Sequence, residues 1–206
     1  MDNAVNFKTL VNKFYKNIVS SNEVDGSNCH SHLNVVIKSL SNDLEKSSNY
    51  IYSYQPACRF LDSCINNIPE EFYRFKNSIR NIKTQLNWQI NNNYKKIFSK
   101  DFFYNESFVE IIGPNGLLIS PNVRVGLLLL GEKVFYPSHN HKALEFYSIL
   151  SGKSMWQQNN DRFEQKEPGD NIFHDMWVPH AMETTGEPAL ALFSWSGAIT
   201  DEAVPI

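Results

Sequence analysis

The sequence predicts a mainly β protein with an α-helical N-terminal region. Two observations carry this. Apolar residues recur at helical spacing up to about residue 90, whereas from about residue 107 the chain becomes a series of short apolar or alternating runs separated by turn residues. Charge changes at the same place. Residues 1–106 carry 13 Lys/Arg and 10 Asp/Glu, and residues 107–206 carry 6 and 12. The expected organisation is a helical, bundle-like region over residues 1–106, packed on a β-barrel or sandwich over residues 107–206.

In the first region, Phe7, Leu10, Val11, Phe14 and Ile18 form one helical stripe, with lysines between them. Ser20 to Asn28 is a loop by composition. Leu33, Val36, Ile37, Leu40 and Leu44 form a second stripe, ended by Ser47-Ser-Asn49. Pro56 opens a third, shorter helix through about Ile65. Pro69-Glu-Glu-Phe72 starts a fourth: proline suits the first helical position, and carboxylates suit the positive end of the helix dipole. Its stripe is Phe72, Phe75, Ile79, Ile82, Leu86 and Ile90, and Asn91-Asn-Asn93 ends it. Residues 94–106 are a connector without an assigned structure.

In the second region, Ser107–Ile112 and Val123–Leu130 read as strands either side of a Gly113-Pro-Asn-Gly116 turn. Further turns fall at Leu150-Ser-Gly152, Asn159-Asn-Asp161 and Pro168-Gly-Asp170, and Ala189–Trp195 is the last clear strand. Many short strands with regular turns indicate a β-sandwich or barrel.

Composition narrows the functional classes. A chain of 206 residues with 42% hydrophobic and 20% charged residues fits one soluble domain with an appendage. A net charge of −3 argues against nucleic-acid binding. Three cysteines, Cys29, Cys58 and Cys64, form no C-x-x-C pair and no disulfide framework, so reduced thiols and a cytoplasmic location are expected, with Cys58 and Cys64 as buried small hydrophobes. The N-terminus has no signal-peptide pattern. The longest apolar run, Gly126 to Gly131, is too short to span a membrane. A homodimer is compatible with all of this.

The chemistry concentrates in Tyr136-Pro-Ser-His139-Asn-His141-Lys-Ala-Leu-Glu145-Phe-Tyr147. His139, His141, Glu145 and Tyr147 all occupy odd positions. In one extended run they project from one face. Two imidazoles and a carboxylate suit a divalent transition metal with positions left open for a substrate. His174, between Phe173 and Asp175, reads as a turn histidine paired with Asp175. His30 and His32 precede a helix and carry no metal role.

Spacing then resembles the cupin family. Its first motif is matched by Gly131, His139-Asn-His141, Glu145 and Gly152, with the first gap longer by two residues. Its second motif is matched in spacing by Gly169 and His180, although Asp175, Trp177 and Thr184 stand where the motif has Pro, Gly and Asn. The resemblance implies a small double-stranded β-helix barrel and a metal held by His139, His141, Glu145 and His180. The blocks Tyr136–Gly152, Pro168–Asp170, Pro179–Met182 and Ala191–Gly197 narrow it further, to the cupin-type dimethylsulfoniopropionate (DMSP) lyases, whose longer members also carry a helical N-terminal region.

That family resemblance implies a β-elimination that releases dimethyl sulfide and leaves acrylate. The metal polarises the substrate carboxylate. Tyr147 is the base, and a free phenol, with a pKa near ~10, needs a nearby cation to serve as one. Whether His139 or Tyr147 completes the coordination is left open. Tyr136 is a second candidate, for substrate binding or proton transfer. Trp156, Trp177 and Trp195 are candidates to hold the sulfonium by cation–π attraction. One divalent ion (zinc, iron, manganese, nickel or cobalt) and no organic cofactor are required. The competing readings are a cupin dioxygenase and a non-catalytic cupin that binds a metal or small ligand.

Overall fold

Alternation along the strands divides the barrel wall into two faces, and each face has its own core. The computed structural model describes residues 2–21 and 26–206. Helices α1 (Asn3–Ser21), α2 (Ser27–Ser41), α3 (Leu61–Asn66), α4 (Tyr73–Ile82) and α5 (Lys100–Asn105) come first. Eleven strands follow among the described residues: β1 (Glu106–Gly113), β2 (Leu118–Ile119), β3 (Val123–Leu130), β4 (Phe135–Asn140), β5 (Leu144–Ser151), β6 (Ser154–Gln158), β7 (Glu164–Lys166), β8 (Asn171–His174), β9 (His180–Glu183), β10 (Ala189–Ser196) and β11 (Val204–Pro205). They form a six-stranded sheet in the order β2-β1-β3-β10-β5-β8 and a five-stranded sheet in the order β11-β4-β9-β6-β7. All pairings are antiparallel except β1 with β2.

On the six-stranded sheet, Val109, Ile111, Val125, Leu127, Leu129, Phe146, Leu150, Leu190 and Leu192 belong to one cluster with the apolar stripes of α1, α2 and α4. A fully buried Val, Leu, Ile or Phe contributes roughly 1.5–3 kcal/mol, so this shared layer is what holds helices to sheet. The alternate residues, Leu128, Leu130, Tyr147, Ile149, Ala191 and Phe193, belong to a second cluster inside the barrel. Gly126 interrupts the inner row because a Cβ there would stand 1.8 Å from the Val109 carbonyl oxygen and 2.8 Å from the Phe193 ring.

Polar contacts also cross from helix to sheet. His32, fully buried on α2, reaches the hydroxyls of Ser196 (Nδ1, 2.7 Å) and Ser194 (Nε2, 2.9 Å) on the outer face of β10. Burial pushes its pKa down to about 4, with a smaller upward pull from the Glu145 charge.

Three expectations are corrected here. The second helix begins at Ser27, so His30 and His32 lie within it, and it stops at Ser41, before Leu44. The fourth helix ends at Ile82, not near Ile90. Beyond a short 3-10 turn, the backbone of Asn87 bonds to the Tyr50 hydroxyl, Trp88 to the Ser53 carbonyl, and Gln89 pairs with Phe108 of β1. Long-range backbone pairing overrides a helical period that persists in sequence through this segment. The connector left unassigned holds two short elements: Asn91 caps a 3-10 turn at Asn92–Lys96, and Ser99 caps α5 through the Phe102 N–H. The loop expected over residues 20–28 lies in part outside the described residues. Its described ends belong to α1 and α2.

Candidate metal and catalytic site

The histidine–glutamate–tyrosine run is not one strand. His139 lies near the end of β4 in the five-stranded sheet, and Glu145 and Tyr147 lie on β5 in the six-stranded sheet, so the run passes from one sheet to the other. Inward parity holds on β5 and is broken once on β4. Tyr136 and His139 are three residues apart and both buried, which the register shift between them in the β4–β9 ladder accommodates. His139 is the register partner of His180, which brings the downstream histidine beside the motif.

Glu145 is the centre of the site. Its Oε2 lies 2.9 Å from His141 Nε2 and 3.4 Å from His180 Nε2, and its Oε1 accepts a 2.5 Å hydrogen bond from the Trp195 indole. All three of these ligand-type residues are at least 98% buried. Their ligand atoms lie within 4.8 Å of one another.

The tautomers are fixed from outside. His141 Nδ1 donates to Ala143 O, His180 Nδ1 to Val178 O and His139 Nδ1 to Pro137 O, each at 2.9 Å. With Nδ1 carrying the proton, a neutral imidazole presents a bare Nε2 lone pair. Bare lone pairs of His141 and His180 facing a carboxylate oxygen repel unless a cation lies among them. A proton meets that need for one pair, and a divalent metal meets it for both. Anchoring of the far ring nitrogen by a backbone carbonyl is also how metal-ligating histidines are oriented. The residues therefore fit a divalent cation, and His180 Nε2 has no hydrogen-bond partner to compete for it.

Electrostatics follow. Burial opposes charge on Glu145, but His141 and His180 outweigh it and hold the carboxyl well below the usual range. Burial likewise opposes charge on His141, and the Glu145 carboxylate reverses this and raises its pKa. His139 is held well below its ordinary value by burial and then by His180. Its ring stacks on Tyr136 (4.5 Å between centroids) and sits edge-on to His180 (4.1 Å), beside the three clustered groups rather than among them.

Tyr147 is buried beside Glu145. Burial and then the Glu145 charge hold its phenol well above the ordinary value. Tyr136 is held up by burial and then by the phenols and carboxylate around it.

A cavity of about 270 Å³ opens onto His139, Glu145, Tyr147, Tyr136 and Trp195. Its far walls come from β1 and β3 (Glu106, Phe108, Glu110, Arg124) and from residues Gln89 to Asn93 of the helical region. The three tryptophans separate. Trp195 lines the cavity, with its ring 4.3 Å from that of His141. Trp156 is buried behind Tyr147, at 4.8 Å between centroids, and its indole N–H bonds Ser154. Trp177 does not join the site: it is 52% exposed, in a left-handed turn at φ 61°, away from the cavity.

His174 also departs from expectation. It lies on β8, fully buried, with its ring stacked 4.0 Å from that of His180, while Asp175 bonds Asn28 instead. Gln158 donates to its Nδ1. Burial, and then the neighbouring His180, hold its pKa well below the ordinary value. The alternation Ile172, His174 around Phe173 was the available signal for an inward position. Glu106, Glu110 and Arg124 were missed in the same way. Each interrupts an apolar strand at the parity of the barrel interior, and only the site on that face gives the interruption a meaning.

Residues 28–191 match the family model for dimethylsulfoniopropionate lyase. The dimethylsulfoniopropionate lyase DddQ of Ruegeria pomeroyi is 31% identical over 96 residues, covering 47% of each chain. A putative dimethylsulfoniopropionate lyase, DddL, of Cereibacter sphaeroides is 27% identical over 123 residues, covering 59% of this chain and 50% of that one. The chain spans about half the length of the curated relatives it matches. The crystal structure of the Ruegeria pomeroyi protein superposes with a TM-score of 0.76 over 100% of this chain and 97% of that one, at 19% identity, which is a likeness of fold. The fold is thus the cupin-type barrel with N-terminal helices, and with four-fifths of its length matched by the family model, this chain belongs to the dimethylsulfoniopropionate lyase family.

Proposed function

We propose that this protein is a metal-dependent DMSP lyase. The observation that carries the reading is the cluster of His141, Glu145 and His180, with Glu145 opening beside Tyr147 onto one cavity, in a chain of this family. His141, Glu145 and His180 would hold a divalent transition metal, with His139 or Tyr147 as the further ligand. When bound, the ion supplies Lewis-acid polarisation of the substrate carboxylate.

The chain's own groups do the rest. Tyr147 takes the α-proton onto its phenolate oxygen. The C–H electron pair becomes the new C=C bond as the C–S bond breaks, and dimethyl sulfide leaves with the electron pair of that bond. Acrylate remains. Burial and the Glu145 charge keep the Tyr147 phenol protonated on their own. Positive charge at the cluster is what favours its phenolate, so the base and the cation site act together. Tyr136 stands against His139 at the cavity wall, placed for substrate binding or proton transfer. Trp195 orients Glu145 through its indole N–H and presents its ring to the cavity. No organic cofactor enters. Residues 107–206 carry the site, and residues 1–106 serve as the layer packed on the barrel and part of the cavity wall.

The test is headspace dimethyl sulfide from metal-loaded protein supplied with DMSP. Wild type is expected to release it, and Tyr147→Phe to lower the rate by roughly 10²–10⁴-fold, the usual range for losing a general base. No product from the metal-loaded wild type removes the lyase reading. Near-wild-type turnover by Tyr147→Phe removes the base assignment while leaving the reaction standing.

A further inference from the structure

Among the described residues five carboxylates line the cavity, and one of them is buried without a partner. Glu145 is engaged by His141, His180 and Trp195. Glu110 is engaged by Arg124 (3.2 Å) and by the Asn115 N–H (2.6 Å). Glu202 accepts from Asn93, and Asp201 is exposed to solvent. Glu106 differs from all of these. It is 1% exposed, and neither of its oxygens has a hydrogen-bond partner among the described residues, yet it lines the cavity.

A buried carboxylate without a partner is unfavourable by several kcal/mol unless a proton or a cation joins it. Burial alone pushes the Glu106 carboxyl up to about 8. Among the described residues the titratable groups facing it are the phenols of Tyr94, Tyr136 and Tyr147, all held in the neutral form, and none of these is a fixed cation. Among the described residues the one cation lining the cavity, Arg124, is paired with Glu110. Glu110 is four residues further along β1, or roughly 13 Å at ~3.3 Å per residue.

Aromatic rings and the amides of Gln89 and Asn91 to Asn93 share the cavity wall with Glu106. Phe108 shares its face of β1, and Phe193 and Tyr136 line the same space. A carboxylate that forms no hydrogen bond among the described residues, in a cavity with aromatic rings in its wall, suits a cation that has no donor to offer. Such a cation is an onium carrying methyl groups, held by charge and by cation–π attraction.

We propose that Glu106, with Phe108 and Tyr136, forms the subsite for the onium end of the substrate, opposite the carboxylate end at the histidine–glutamate cluster. The proposal rests on the lyase reading and adds the origin of charge selectivity: the cavity prefers a sulfonium or quaternary ammonium over an uncharged group of the same shape.

The test uses two stable probes of one shape, 3-(trimethylammonio)propanoate and its uncharged carbon isostere 4,4-dimethylpentanoate. Each is titrated into metal-loaded protein with tryptophan fluorescence as the readout, since Trp195 lines the cavity. Wild type is expected to bind the cationic probe at least tenfold more tightly. Glu106→Gln keeps the shape and removes the charge. It is expected to bring the two affinities within threefold, with the uncharged probe within twofold of its wild-type affinity. A wild type without charge preference overturns the proposal, and needs no variant to fold. Equal weakening of both probes in Glu106→Gln overturns it too, because that is the signature of a structural role. Dimethyl sulfide release is read separately. Charge preference without release keeps the subsite and removes the lyase, whereas release without charge preference removes the subsite alone.

Discussion

His32 offers a quantitative test of how the helical layer is joined to the barrel. Its ring is fully buried between α2 and β10, bonded to two serine hydroxyls, and its pKa is pushed down to about 4 from an ordinary 6.5. As pH falls through 6.5, the unfolded chain takes up a proton at this residue, while the folded chain resists until about 4. The unfolded state therefore binds more protons inside that window, and stability is lost as pH drops through it and is complete above it. At about 1.36 kcal/mol per pKa unit, this single group makes the protein about 2 kcal/mol less stable at pH 5.0 than at pH 7.5. The perturbation is His32→Gln, which retains a donor and an acceptor for Ser194 and Ser196 but does not titrate. Urea unfolding of both proteins at the two pH values, with identical metal loading, gives four stabilities. The wild type is expected to lose about 2 kcal/mol more than the variant between them. His139 and His174 also resist protonation, but they are present in both proteins and cancel in the difference. Parallel losses, within about 0.5 kcal/mol, would refute the reasoning and mean that His32 is hydrated or charged in the folded state.

Two further outcomes follow from the site. His180→Ala removes one of the three clustered ligand groups and leaves Glu145 facing a single imidazole; bound divalent metal after gel filtration, measured by elemental analysis, is expected to fall at least tenfold, and unchanged metal content would remove His180 from the ligand set. Trp177→Ala acts on an exposed ring away from the cavity, so dimethyl sulfide release is expected to stay within about twofold of wild type; a larger loss would return this tryptophan to the substrate wall.

The sequence by itself determined what is local. Helical spacing over residues 7–18 and 33–40, the proline at the start of the third helix, and the turns at Gly113–Gly116 and Gly152 are short-range preferences of the backbone, and each reappears in the structure. So does the change of period near residue 106, where β1 begins. The spacing from His141 to Glu145 and from Gly169 to His180 was also legible, because strand parity and turn length leave little freedom over so few residues.

Tertiary structure decided what depends on partners distant in sequence. Leu86 to Ile90 keep a helical period, but pairing with residues near Ser53 and with Phe108 draws them into extended form and to the edge of the cavity. Sequence placed His174 in a turn and Trp177 among the substrate contacts. The β5–β8 pairing turns the first inward, and the left-handed turn sends the second out to solvent. In the sequence Glu106 is the last residue of the unassigned connector, before a strand read from Ser107, and carries no mark of its own. Its isolation follows from which sheet face turns inward and from which other charges already have partners. That is a property of the closed barrel, where burial removes water as a partner, and it is not encoded within any short stretch of chain.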